Sequence, residues 1–182
     1  MESTCTAGSR ISIREYFEII INVMRSPVRF FEGVGQEEGM RRPLLFLMIS
    51  ALFFCSVSMT YFFENSLMMG FIMMLNAILM PAFGAVITFT LLGMTGTGKV
   101  PFAKVFNIYA YSSGAVMVVS WIPGLAIIME PVRALLIGIG LVKAAGVGKI
   151  KAALVIVLTA AMILIFFWSA APVIEELKPL LR

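Results

Sequence analysis

Histidine and aspartate are both missing from this chain of 182 residues. The first absence removes the commonest general base together with the commonest metal ligand, and the second leaves glutamate as the only side-chain carboxylate. Cysteine occurs only as Cys5 and Cys55. One falls in a polar N-terminal stretch and the other inside an apolar run, so they belong at different depths and no disulfide between them is expected. Charged residues make up 13% of the chain, against 60% apolar types and a mean hydropathy of +1.00. A soluble domain of that balance could not clothe its core in polar surface, so the composition predicts an integral membrane protein. No spacing puts a nucleophile, a base and an orienting group within reach of one another. The expectation is therefore no catalytic residue, no metal, no cofactor and no enzyme.

The net charge of +4 does not point to nucleic acid, because the basic residues are scattered through short loops between apolar runs. The partners expected are instead the lipid bilayer, a second copy of the chain, and a membrane or cytoplasmic protein. Residues 1–9 read as a disordered polar tail, and residues 10–40 as a cytoplasmic amphipathic segment lying in the membrane interface. Within that segment Ser12 and Glu15 have the spacing of a capping box, and Ile13, Phe17, Ile20 and Met24 recur at helical period. Arg25, Arg29, Phe30 and Phe31 follow, the basic and aromatic mixture suited to a membrane surface. A collar packed against the ends of the spans is the equally weighted alternative.

Residues 41–182 then read as an all-α membrane domain of five spans, at about 43–63, 67–92, 103–123, 130–147 and 152–173. The second holds Asn76 and should kink at Pro81, while Pro123 and Gly124 should turn the chain after the third. Arg133 and Lys143 are placed near the two ends of the fourth, where their charges can reach outward. With five spans, eleven basic residues share one side and Arg133, Lys178 and Arg182 share the other. That bias puts the N-terminus in the cytoplasm and the C-terminus across the membrane.

The third span carries the most polar groups, and Asn107, Tyr109, Tyr111, Ser112 and Ser113 form the candidate polar seam or partner site. Asn76 and the pair Glu130 and Arg133, three apart on a helix, complete the candidate set. The plainer reading of the seam is helix-packing glue, in which small and polar residues let neighbouring helices approach. GMTGTGK at 93–99 fits the first positions of a phosphate-binding loop, but Val100 stands where a magnesium-holding hydroxyl belongs, so it reads as a flexible turn.

MRSPVRFFEGV leading into RRPLLFLMISALF resembles the start of the membrane domain in bacterial members of the Yip family, the Ypt/Rab-interacting membrane proteins. GTGKVPFAKVFNIYAYSSGAVMVVSWIPG resembles the family's glycine-rich loop, Phe-Lys helix start, Tyr-x-Tyr-Ser segment and closing Ile-Pro. ALLIGIGLVKAAGVGKIKAALVIVL is similar to its penultimate span and the loop after it. The resemblance implies five spans, a cytoplasmic N-terminus, a bacterial inner-membrane location and a recurring motif at Tyr109, Tyr111, Ser112 and Pro123. Eukaryotic relatives are associated with Rab GTPases. Their Asp-Leu-Tyr-Gly-Pro motif is missing here, so that role does not carry over. Two functions are expected from this: a non-enzymatic membrane organiser or docking scaffold, and alternatively a small oligomeric transporter, channel or lipid-moving protein.

Overall fold

The computed structural model describes residues 11–37, 39–62, 67–96, 100–122 and 124–177. The expected tail at 1–9 and the turn residue Pro123 lie outside the described residues. Seven helices are described: α1 (Ile13–Arg25), α2 (Pro27–Val34), α3 (Arg41–Phe62), α4 (Leu67–Met94), α5 (Phe102–Ser120), α6 (Leu125–Lys143) and α7 (Lys149–Leu177). From α3 onward all five are long and apolar enough to cross a membrane. The molecule is therefore an all-α polytopic membrane protein.

Local chemistry accounts for the helix ends. Ser12 caps α1, its hydroxyl accepting from the Glu15 amide, and Pro27 occupies the first turn of α2. At Gly124 the backbone turns into α6 with φ of +87°, a left-handed conformation that disfavours any side chain with a Cβ. Pro81 lies inside a continuous α4. That helix has a length of about 42 Å at 1.5 Å per residue, more than a hydrocarbon core of ~30 Å, and tilting or extension into the headgroup region takes up the excess.

The fourth span differs from expectation. It runs from Leu125 to Lys143 rather than from 130 to 147, so its midpoint moves to Ala134. Glu130 and Arg133 pair within the helix instead of marking its start. The pair reduces the charge either residue would expose alone, which lets apolar residues extend the helix on its N-terminal side.

Helix α5 is the hub, in contact with α1, α2, α3, α4 and α6. Of its apolar window 72% is buried, against 17% for α7, so α5 is sheathed by protein while α7 is left to lipid. Close approach to α5 comes through glycines. A methyl group at Gly140 of α6 would lie 2.5 Å from Ile108 Cγ2, one at Gly114 2.7 Å from the Phe46 ring of α3, and one at Gly84 of α4 2.7 Å from the Tyr109 ring. Small residues of this kind let helix backbones meet where lipid offers no hydrophobic drive to association.

Around this bundle α1 and α2 form a collar. Tyr16, Ile19, Val23, Phe31 and Val34 are buried, and α2 packs on α6. Of the four residues expected at the membrane interface, Arg25 and Arg29 are exposed, but Phe31 is fully enclosed by protein and Phe30 is half-buried. The correction has a simple cause. Helix α2 packs on α5 and α6, and both Phe30 and Phe31 lie within the side it turns to them, where Phe30 meets the Tyr111 ring edge-on at 5.1 Å.

Overfilling the hub should be costly. Gly140→Val is expected to lower stability by about 1–3 kcal/mol, whereas Gly93→Ala, which meets nothing within 4 Å, should change it by less than about 0.5 kcal/mol. Thermal unfolding of the detergent-solubilised protein compares the two directly; equal losses would contradict the close packing described.

Candidate functional site

Two residues along a helix are a rotation of about 200°, and this splits the polar seam of α5 into two faces. Asn107 and Tyr111 point one way, Tyr109 and Ser113 the other. Each pair meets different elements.

On the first face the segment between α2 and α3 folds back onto α5. The Asn107 side-chain amide donates to the Gly39 carbonyl at 3.0 Å. Tyr111 donates its hydroxyl to the Glu37 carboxylate, with oxygen separations of 3.1 and 3.2 Å. Arg42 lies 4.0 Å from Glu37 and also pairs with Glu15 of α1, so one guanidinium ties the collar to the first turn of α3. The Tyr111 ring is held between Phe30 and Phe46, and the Tyr16 hydroxyl bonds Ser50 at 2.9 Å. Burial pushes the Glu37 carboxyl above its ordinary value, against the opposing effects of the Tyr111 hydroxyl and Arg42. Tyr16 is also pushed up by burial, partly offset by Ser50.

The second face looks onto a cavity of about 180 Å³ between α4, α5, α6 and α7. Tyr109, Ser113, Glu130 and Arg133 all line it, with Pro81 and Thr159. The Tyr109 hydroxyl is 2.6 Å from Thr88 Oγ1, which is 3.0 Å from Thr159 Oγ1, and Thr159 donates to the Val155 carbonyl at 2.8 Å. The chain of hydroxyls fixes the ring of Tyr109 at the wall, while Glu130 and Arg133 contribute an ion pair that is partly exposed. Such a cavity offers donors, acceptors and both signs of charge to water or a small polar solute. The described residues give it no nucleophile aligned with a base.

Of the eight candidate seam residues, the fold brings four to this cavity: Tyr109, Ser113, Glu130 and Arg133. Asn107 and Tyr111 belong to the opposite face. Ser112 is fully buried with its hydroxyl unpaired among the described residues, as is Asn107 Oδ1. Asn76 joins neither cluster; it is exposed on α4 beside an apolar groove with Phe83, Phe102 and Phe106. Glu37, Arg42, Thr88 and Thr159 were missed. The two threonines do carry a signal, since each sits on the buried stripe of its helix, Ala77–Ala85–Thr88–Leu92 and Ala152–Val155–Thr159. Glu37 carries none, because a polar loop reads as solvated until something is seen to bury it.

Tyr111→Phe should cost about 1.5–3 kcal/mol, the range for a hydrogen bond to a charged acceptor. The pH dependence has a definite sign. A carboxyl that binds its proton more tightly folded than unfolded contributes stability that is fully present below the ordinary glutamate range and fades as pH rises through the raised value. Unfolding temperature should accordingly fall with rising pH across that window, and Glu37→Gln should flatten this part of the profile. An unchanged slope would remove Glu37 from the account.

Comparison with known proteins comes down to one match. A family model described as Yip1 domain covers residues 21–171, from within α1 through most of α7, and so includes both faces of α5. No curated protein and no solved structure matches the chain.

Proposed function

The chain belongs to the Yip1 domain family of membrane proteins, and we propose that it acts as a non-enzymatic membrane organiser or docking scaffold whose collar, α1 and α2, is the working surface. The observation that carries this is the two-faced character of α1. Its inner face is buried on the bundle, yet Ile13, Phe17, Ile21 and Met24 form a second apolar stripe that stays exposed. A helix needs only one apolar stripe to hold it to its own protein. The second is left for a membrane surface or a partner, and Glu37 and Arg42 hold the collar at a set position beneath it.

The orientation that fits this role has the basic end of the bundle and the N-terminus in the cytoplasm of a cytoplasmic membrane, with the C-terminus opposite. Replacing Ile13, Phe17 and Ile21 by serine in the full chain should abolish crosslinking of α1 to lipid or partner while leaving the unfolding temperature within a few degrees. Crosslinking that survives all three changes would defeat the scaffold reading.

One observation favours a second reading, a small transporter, channel or lipid-moving protein working as an oligomer. It is the cavity that gathers Tyr109, Ser113 and the Glu130–Arg133 pair beside Pro81. Intramembrane ionisable groups beside a cavity mark solute paths in many membrane proteins. Under this reading Tyr109→Phe and Glu130→Gln each lower solute flux or lipid scrambling in reconstituted vesicles at least tenfold. Transport that is absent from the wild type, or indifferent to both changes, eliminates it.

A further inference from the structure

We infer that the outer groove between α6 and α7 is a binding site for one anionic glycerophospholipid, with its phosphate at Lys143 and Lys149 and an acyl chain along the helices. The groove has a volume of about 780 Å³. Its walls are apolar along most of their length, through Pro131, Leu135, Gly138, Ile156 and Val157, and both lysines stand among its lining residues. Lys143 closes α6 and Lys149 opens α7, so the two ammonium groups belong to the same end of the groove.

Charge and length together select the occupant. From Pro131 to Lys143 the helix rises about 18 Å at 1.5 Å per residue, close to the ~15 Å of a single leaflet's hydrocarbon. A chain of one leaflet therefore spans the groove when its headgroup lies level with the lysines. At Gly138 the two walls come close, since a methyl group there would lie 3.2 Å from Ile156 Cδ1, so any side chain at this position would crowd the groove. Val28 of α2 reaches the same groove, and Glu32 of that helix accepts from Lys143 at 2.9 Å. That bond holds the Lys143 ammonium at the groove end and cancels part of its charge. Lys149 makes no ion pair among the described residues and supplies the larger share of attraction for phosphate. A zwitterionic lipid fits the apolar walls equally well but gains less from the two lysines, so the site discriminates by headgroup. A free anion gains the charge and loses the groove.

Native mass spectrometry of the purified full chain, titrated separately with phosphatidylglycerol, phosphatidylcholine and inorganic phosphate, tests this. One phosphatidylglycerol should be retained per chain in clear preference to phosphatidylcholine. Basic residues near an anionic surface contribute about fivefold each when unpaired, so the double variant Lys143→Gln with Lys149→Gln should lose at least about fivefold, and at most about thirtyfold, of that preference. The Lys143→Arg and Lys149→Arg pair should keep it. Val157→Trp, at an exposed position on the groove wall, should weaken both lipids without altering their ratio. The inference fails if the double glutamine variant keeps the headgroup preference, if Val157→Trp leaves retention unchanged, or if inorganic phosphate binds the wild type as well as the lipid does.

Discussion

A hydroxyl or amide placed in a bilayer has no water to turn to and must find its partner inside the protein. Helix α5 carries three large side chains of this kind, Asn107, Tyr109 and Tyr111, and no single neighbour could serve them all because they point in opposing directions. The consequence is an architecture built around α5. Its own face toward α3 and the collar is met by Glu37 and Gly39, and its face toward α4 and α7 is met by Thr88 and, through Thr88, Thr159.

Packing has to agree with that polar pattern. The three spans in contact with α5 each come close at a glycine: Gly84 on α4 receives the Tyr109 ring, Gly140 on α6 receives Ile108, and Gly114 on α5 itself receives Phe46 from α3. Tyr109 shows how the two requirements combine, since its ring needs the missing side chain at Gly84 before its hydroxyl can reach Thr88. With α5 so enclosed, α6 and α7 are left with broad apolar surfaces toward lipid, and the groove between them is a by-product of the same arrangement.

The collar is the other outcome of the α5 pattern. Tyr111 donates to a carboxylate, so a charged loop must be drawn against the bundle, and Arg42, which also pairs with Glu15, supplies the opposite charge. Phe30 and Phe31 are consumed by this docking, which is why the aromatic part of a basic aromatic stretch suited to a membrane surface turns into the protein while Arg25 and Arg29 stay exposed. The exposed apolar stripe of α1 faces away from it.

Much of this was legible in the residues themselves. Long apolar runs specify spans because backbone groups in lipid can be satisfied only within a helix, so membrane class, helix number and most boundaries follow from one-dimensional pattern. The concentration of polar groups in the third span singled it out as the candidate seam, and the spacing of Glu130 and Arg133 identified their pairing. Tertiary structure alone decided that Tyr109 and Tyr111 serve different sites, that Glu37 is drawn into the bundle, and that the fourth span, α6, begins at Leu125. These outcomes share one physical reason. Period and composition state which groups need partners, but the partners come from residues distant along the chain, and only packing of the whole bundle brings them within hydrogen-bonding reach.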